Sequence, residues 1–126
     1  MIDIKNIQEY CKNDMLLFSN HALERIRQRG IKIKDIEYLE AQNKTVIVHL
    51  INSTTIEIRE LFSKCENLFS IENGFFKCHR SYIVNMEYVE QFTKSQIITY
   101  NKENIPISRN NYVAFKEVYF EHMFND

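Results

Sequence analysis

Four polar residues, Cys78-His79-Arg80-Ser81, stand between two short apolar runs in the second half of the chain. A cysteine beside a histidine is the pair that supplies a thiol nucleophile and its general base. Both side chains must then face one cleft, whereas neighbouring residues on a strand point to opposite faces. No acid or amide stands at a suggestive position to orient the histidine. We therefore expect no enzymatic activity here, and a buried Cys78 beside a half-exposed His79.

Three expected bends combine a cation with amide or hydroxyl side chains. They are Gln42-Asn43-Lys44, His79-Arg80-Ser81 and Ser108-Arg109-Asn110-Asn111. Bends on a rigid scaffold let long side chains reach outward. Cations, amides and hydroxyls are also the groups that bind phosphates and base edges. The three bends are candidate nucleic-acid contacts, with ordinary solvated surface charge as the alternative.

The charge balance limits how nucleic acid could be bound. The formal net charge is −1, from 16 Lys and Arg against 17 Asp and Glu, which excludes a polycationic tail or histone-like protein. Residues 75–116 hold six Lys and Arg and three Glu, a local excess of three positive charges, while the last ten residues hold acids and no Lys or Arg. Binding must therefore rest on a local basic face.

Length and composition indicate one folded domain. The chain has 126 residues, 44% of them hydrophobic and 26% charged, as in globular proteins. Its longest apolar runs are far shorter than the roughly 20 residues that a spanning helix needs. The start of the chain shows no basic segment followed by an apolar core, so we expect no signal peptide, no membrane insertion and a cytoplasmic location.

The three cysteines, Cys11, Cys65 and Cys78, are an odd number without a C-x-x-C motif. This pattern does not make a disulfide framework. A zinc site needs Cys or His at close spacing on one face, and only Cys78 and His79 are adjacent. We expect no metal and no cofactor.

From residue 31 onward, β-branched and aromatic residues recurring with a period of two predict a mainly β domain. The predicted strands are 31–38 with a kink near Asp35, 44–50, 54–58, 75–78, 82–84, 87–92, 96–100 and 105–107. Pro106 places the last strand at a sheet edge. A helix is predicted over 60–70, and a final helix with Ser108 as its N-cap.

Residues 1–29 differ from the rest and predict a helical extension. Ile4, Ile7 and Cys11 fit one helical face, and a second helix over 21–29 would end at Gly30. The arginines near the end of that helix are favoured there by its dipole. We expect this amphipathic segment to mediate self-association or to hold a partner protein.

The stretch 73–89 closely resembles the signature F-x-[RK]-x-H-[RN]-S-[YF]-[IV]-V-N of the LytTR family, bacterial DNA-binding domains found as output domains of response regulators. Phe76, His79, Arg80, Ser81 and Asn85 are among the matching positions. Residues 35–40 also resemble the family's opening D-I-x-Y-[IL]-E, and 105–112 its closing I-P-[IV]-S-R segment. The resemblance thus covers nearly the whole domain, which we place at 30–126.

The resemblance implies stacked small antiparallel β-sheets with short helices, whose loops enter successive major grooves of bent duplex DNA. It implies base contacts by Arg80, Arg109 and Lys44, the last being the softer match. By location, it implies phosphate contacts by the neighbouring polar residues Ser81, Ser108, Asn110 and Asn111, and we expect another from Lys102. The expected function is a sequence-specific transcription regulator that binds double-stranded DNA at paired half-sites.

Two departures from the family pattern shape this expectation. The residues before the matched region do not form a receiver domain, so we expect the usual phosphorylation input to be missing from this chain. Some relatives carry a second cysteine near the closing strand to pair with the one in the signature. Asn104 lies in that region here, which argues against a redox switch at Cys78.

Two alternatives remain at this point. The segment 19–31 also resembles the H-A-x-x-R-x-x-x-R-G-I opening of a small family with toxin-like nuclease relatives, which would place His21, Arg25 and Arg29 on one helical face. The chain would then be a toxin-like RNase. The other alternative is a protein-interaction module that has lost DNA binding. Substitution of Arg80 and Arg109 separates the DNA-binding hypothesis from both.

Overall fold

The computed structural model describes residues 30–124, where short strands alternate with two α-helices and single 3-10 turns. The strands are β1 (Ile36–Gln42), β2 (Thr45–Leu50), β3 (Thr55–Ile58), β4 (Phe75–His79), β5 (Tyr82–Asn85), β6 (Val89–Phe92), β7 (Gln96–Thr99) and β8 (Asn104–Pro106). The helices are α1 (Phe62–Leu68) and α2 (Tyr112–Phe124), and the 3-10 turns are Ile33–Asp35, Ile71–Asn73, Met86–Tyr88 and Arg109–Asn111. The predicted mainly β class with antiparallel sheets and short helices is confirmed.

Five of these strands form an antiparallel sheet in the order β3-β2-β1-β5-β4, which we call the first sheet. The hairpins β1–β2, β2–β3 and β4–β5 are local and follow from alternating sequence around polar turns. The pairing of β1 with β5 is non-local: Leu39 lies opposite Ile83 and Glu40 opposite Tyr82. This pairing brings the β1–β2 and β4–β5 turns to the same end of the sheet.

The remaining strands form a second, three-stranded sheet in the order β6-β7-β8. β8 lies at its edge, and Pro106 pairs with Gln96 there. A proline is tolerated in that position because an edge strand can lack one ladder donor. The prediction of an edge strand at Pro106 is therefore confirmed.

Two cores lie on the two faces of the first sheet. One face packs against α1, and its largest fully buried side chains include Phe69, Phe75 and Leu39. The other face packs against the second sheet and α2 through Phe76, Cys78, Phe115 and their neighbours. Consecutive residues of β1 serve opposite cores, as strand alternation requires. The central sheet is thereby held rigidly, and its turns are fixed relative to one another.

Three sequence predictions differ from the structure. Residues 33–35 form a 3-10 turn instead of a strand before the expected kink at Asp35, and the side chain of Asp35 accepts a hydrogen bond from the Lys32 N–H at 3.0 Å. Residues 86–88 also form a 3-10 turn, since the Asn85 side chain accepts the Glu87 N–H. Both turns reflect a local side-chain acceptor that competes with extended backbone.

The third difference is the start of the last helix. Ser108 precedes a 3-10 turn, its side chain makes no capping bond, and α2 begins only at Tyr112. The Ser108 hydroxyl instead contacts the Cys78 carbonyl oxygen at 3.4 Å and accepts from the Asn111 amide at 2.7 Å. A tertiary contact has replaced the helix cap. The helices expected within residues 1–29 lie outside the described residues.

Candidate nucleic-acid interface

The turns that carry Lys44 and Arg80 lie side by side at one end of the first sheet. We call this end, together with the bends that hydrogen bonds join to it, the turn edge. The Ala41 N–H donates a 2.8 Å hydrogen bond to the Ser81 carbonyl and so joins the two hairpins near their turns. Two strand spacings separate the centres of the two turns, which is roughly 10 Å. A single approaching surface can contact both.

Arg80 occupies the tight turn between β4 and β5 and is exposed. The turn is braced from within, because the Ser81 N–H donates to Nδ1 of His79 at 3.1 Å. An irregularity in the ladder between Lys77 and His79 precedes it. Bulges of this kind redirect the strand end. The Arg80 guanidinium therefore projects from a fixed backbone.

Arg109 is brought to the same region by the Cys78 carbonyl oxygen, which three donors approach. The Ser108 N–H donates to it at 2.9 Å and the Asn111 side-chain amide at 3.2 Å, and the Ser108 hydroxyl lies at 3.4 Å. Cys78 lies two residues before Arg80, and Ser108 directly before Arg109. The two arginine bends are thus joined through one carbonyl group, although 29 residues separate them in sequence.

Lys44 lies in the β1–β2 turn, where it is exposed. Asn43 adopts a positive φ of 53°, a conformation that asparagine tolerates better than most residues. The Thr45 hydroxyl closes the turn by donating to the Gln42 carbonyl at 3.0 Å. The sequence contains no glycine here, and this asparagine makes the tight turn possible.

Lys102 is not part of this arrangement. It lies with a positive φ of 67° in the turn before β8, whereas Arg109 follows β8, so the strand separates them. Nζ of Lys102 contacts a carboxylate oxygen of Glu90 at 2.6 Å. The side-chain amide of the adjacent Asn101 donates hydrogen bonds to the Ile51 carbonyl and to the Glu37 carboxylate, which lie at the opposite end of the first sheet.

Sequence reasoning missed two further cations at the turn edge. Arg59 directly follows β3, whose last residue, Ile58, pairs with Val46 next to the β1–β2 turn. Lys94 lies in the β6–β7 turn, which the Ile107 N–H joins by donating to the Ser95 carbonyl at 3.1 Å. Strand order determines both placements, and no local motif marks either residue.

The five cations of the turn edge share one electrostatic property. They are Lys44, Arg59, Arg80, Lys94 and Arg109, all of them exposed. Within residues 30–124, the ion pairs of lysine involve Lys64, Lys77 and Lys102, and none involves these five. Three other lysines of this range are also outside such pairs. Lys32 and Lys34 lie near Asp35 at the other end of the first sheet, and Lys116 lies on α2 with Nζ 5.6 Å from the centre of the Tyr112 ring. The charge at the turn edge is therefore free to meet an anion.

A comparison with known proteins shows the family to which this sequence belongs. Residues 27–119 match the LytTr DNA-binding domain family. The chain belongs to this LytTR family. Its relatives include the Accessory gene regulator protein A of Staphylococcus aureus strains N315 and MW2, each 29% identical over 99 residues that cover 71% of this chain and 40% of the relative. A solved LytTr DNA-binding domain from Bacillus cereus has a TM-score of 0.57 at 26% identity, covering 76% of this chain and 86% of that one.

Among the carboxylates near the turn edge, that of Glu40 is occupied by local contacts within the LytTR domain. Glu40 contacts His49 at 3.0 Å, Gln42 at 3.2 Å and the Tyr82 hydroxyl at 3.3 Å. Burial alone would raise the pKa of Glu40, but hydrogen bonds from these three residues outweigh it and hold the pKa below its ordinary value. The carboxylate is ionised and its oxygens are engaged within the domain.

The structure offers no catalytic arrangement at the signature of this LytTR chain. The Cys78 side chain is fully buried, and burial raises the pKa of its thiol to about 12. Nδ1 of His79 accepts a hydrogen bond from the Ser81 N–H and not from the thiol. Across residues 30–124 no cluster of His, Cys, Asp and Glu is arranged to hold a metal ion, and no helix is both long and apolar enough to span a membrane. His21, Arg25 and Arg29, the basis of the RNase alternative, lie outside this range.

Proposed function

We propose that this LytTR chain is a sequence-specific transcription regulator that binds duplex DNA through its turn edge. The observation that carries the proposal is the convergence of five cations that form no ion pair within residues 30–124. Backbone hydrogen bonds between loops join the bends of four of them, and the β2–β3 ladder brings Arg59 beside these bends. A phosphate-rich duplex is the ligand that such a row fits best. Family membership supports the same ligand.

Two of the five cations, Arg80 and Arg109, are proposed to read bases. An arginine can donate two parallel hydrogen bonds to O6 and N7 of guanine, and rigid backbone around it lowers the cost of holding that geometry. Arg80 and Arg109 both project from braced bends. Lys44 adds a third contact from the neighbouring turn, as a single charge without the guanidinium fork.

The polar neighbours divide into two groups by their contacts. Asn110 is exposed and Ser81 partly exposed, and we propose that their side chains bind phosphate. Both hydrogen bonds donated by the Asn111 side chain, and the one donated by the Ser108 hydroxyl, have partners within the domain. We infer that Ser108 and Asn111 chiefly position the Arg109 bend. A phosphate contact by Lys102 stays a prediction, and its placement beside Glu90 makes Lys102 a useful reference position.

The whole regulator is a further step of the proposal. The chain spans 40% of the length of the curated relatives it matches, which are named as gene regulators. We propose that it likewise controls transcription, and that two copies occupy paired half-sites. Linked binding at two half-sites would raise affinity through effective concentration.

The test is selection of duplexes bound by the full chain from a random library, followed by a salt titration on the selected site. We expect one enriched motif and a steep fall in affinity with salt, because each neutralised phosphate releases a counterion. Binding to a scrambled duplex measures the part of the affinity that does not depend on sequence. A chain that enriches no motif and binds no duplex at low salt would refute the proposal.

A further inference from the structure

We propose that Arg59 contacts a backbone phosphate of the bound duplex outside the groove that Arg80 reads. The inference rests on the proposed function and assigns the contact made from the edge strand of the first sheet. Neither the LytTR signature nor the three predicted bends include this residue.

The strand register places Arg59 at the turn edge. Ile58 is buried and pairs with Val46, so the next residue of the chain lies beside Thr45. Strand alternation turns Arg59 away from the core side occupied by Ile58. The side chain is exposed, and among residues 30–124 no carboxylate pairs with it.

An open groove separates Arg59 from the Lys44 turn. Its volume is about 810 Å³, and residues 42–45 line one side of it while Glu57 and residues 59–61 line the other. The two acids there do not block the position. Glu57 lies further from the end of the sheet, opposite Ile47, and Glu60 is buried and lies 3.9 Å from Lys64. A phosphate group has room at the rim between the two cations.

The spacing of the strands assigns a phosphate contact to Arg59 and not a base contact. β3 is the first strand of the sheet and the Arg80 turn lies between the fourth and the fifth, a separation of roughly 17 Å at ordinary strand spacing. The major groove is about 12 Å wide. When Arg80 lies within a groove, Arg59 therefore lies beyond its rim, where the sugar–phosphate backbone runs.

The experiment compares Arg59→Gln with the wild-type chain on the selected duplex and on a scrambled one, across a salt series. The slope of log affinity against log salt should fall by about 0.9, the value for one phosphate, and affinity at 0.15 M salt should fall about fivefold on both duplexes. Lys34→Gln is the matched control, since it removes one exposed charge at the opposite end of the sheet. It should leave the slope unchanged.

Arg59→Lys keeps the charge and should retain the wild-type slope. Thermal melting of each variant shows that the fold is retained. An unchanged salt slope in folded Arg59→Gln would overturn the inference. A loss of base preference confined to one base pair of the selected motif would overturn it too. If the wild-type chain binds no duplex, the proposed function itself has failed, which this design distinguishes from failure of the Arg59 contact alone.

Discussion

The Ser108 N–H donates a 2.9 Å hydrogen bond to the carbonyl oxygen of Cys78. This bond joins the end of β4 to the residue before Arg109, and Arg80 follows two residues after the acceptor. A backbone hydrogen bond therefore sets the relative position of the two bends, and the Asn111 amide and the Ser108 hydroxyl brace it at the same carbonyl. Preorganised contacts of this kind lose less conformational entropy when a ligand binds.

Replacing Asn111 with alanine tests this bracing. The Asn111 amide bonds both the Cys78 carbonyl and the Ser108 hydroxyl, and loss of two such bonds should lower the free energy of unfolding by about 1–2 kcal/mol. Base preference should relax only at the position read by Arg109. Urea unfolding and a base-preference profile measure the two effects. Asn110→Ala is the control, because Asn110 is exposed; equal unfolding energies for the two variants would contradict a bracing role.

The buried thiols should be unreactive in the native protein. Burial raises the pKa of both Cys65 and Cys78 to about 12, so at pH 8 the reactive thiolate is scarce as well as inaccessible. We expect alkylation of both by iodoacetamide to be slow until the protein is unfolded in urea. Peptide mapping assigns the labelled residue. Rapid native labelling of Cys78 at pH 8 would show that the core around β4 opens.

Bound DNA should be bent. The Lys44 and Arg80 turns are roughly 10 Å apart and so fit within one major groove, which is about 12 Å wide, whereas successive major grooves on one side of straight DNA are about 34 Å apart. The bends that carry Arg109 and Lys94 can reach the next major groove only if the duplex curves toward them. Energy transfer between dyes at the duplex ends should rise on binding to the selected site. No rise at saturation would mean that the turns occupy a single groove.

Local patterns in the sequence predicted much of the fold. The β2–β3 and β6–β7 hairpins, the helix near residues 60–70 and the edge position of Pro106 all follow from nearby residues. Ser108 does stand at the N-cap position of the 3-10 turn that leads into α2, but its hydroxyl makes no capping bond because a distant carbonyl, that of Cys78, competes for it. Local propensity contains no information about such partners.

The candidate site shows the same limit. Arg80 and Arg109 are recognisable because they belong to a family signature at polar bends. Arg59 and Lys94 are not, since their places at the turn edge depend on strand order and on the bond between Ile107 and Ser95. A single sequence does not reveal the β1–β5 pairing that aligns the first two turns.

The base-preference profiles of Arg80→Ala and Arg109→Ala test the central claim most directly. Each substitution should cost roughly 1–3 kcal/mol on the selected duplex and relax preference at one base pair, a different one for each arginine. Lys102→Ala should leave every base preference intact; as a phosphate contact it would only reduce the salt slope by about one counterion. If both variants lose affinity equally on all sequences, the two arginines bind phosphate and DNA deformability supplies the specificity. Unchanged binding by both would contradict the account of the turn edge as the DNA-reading surface.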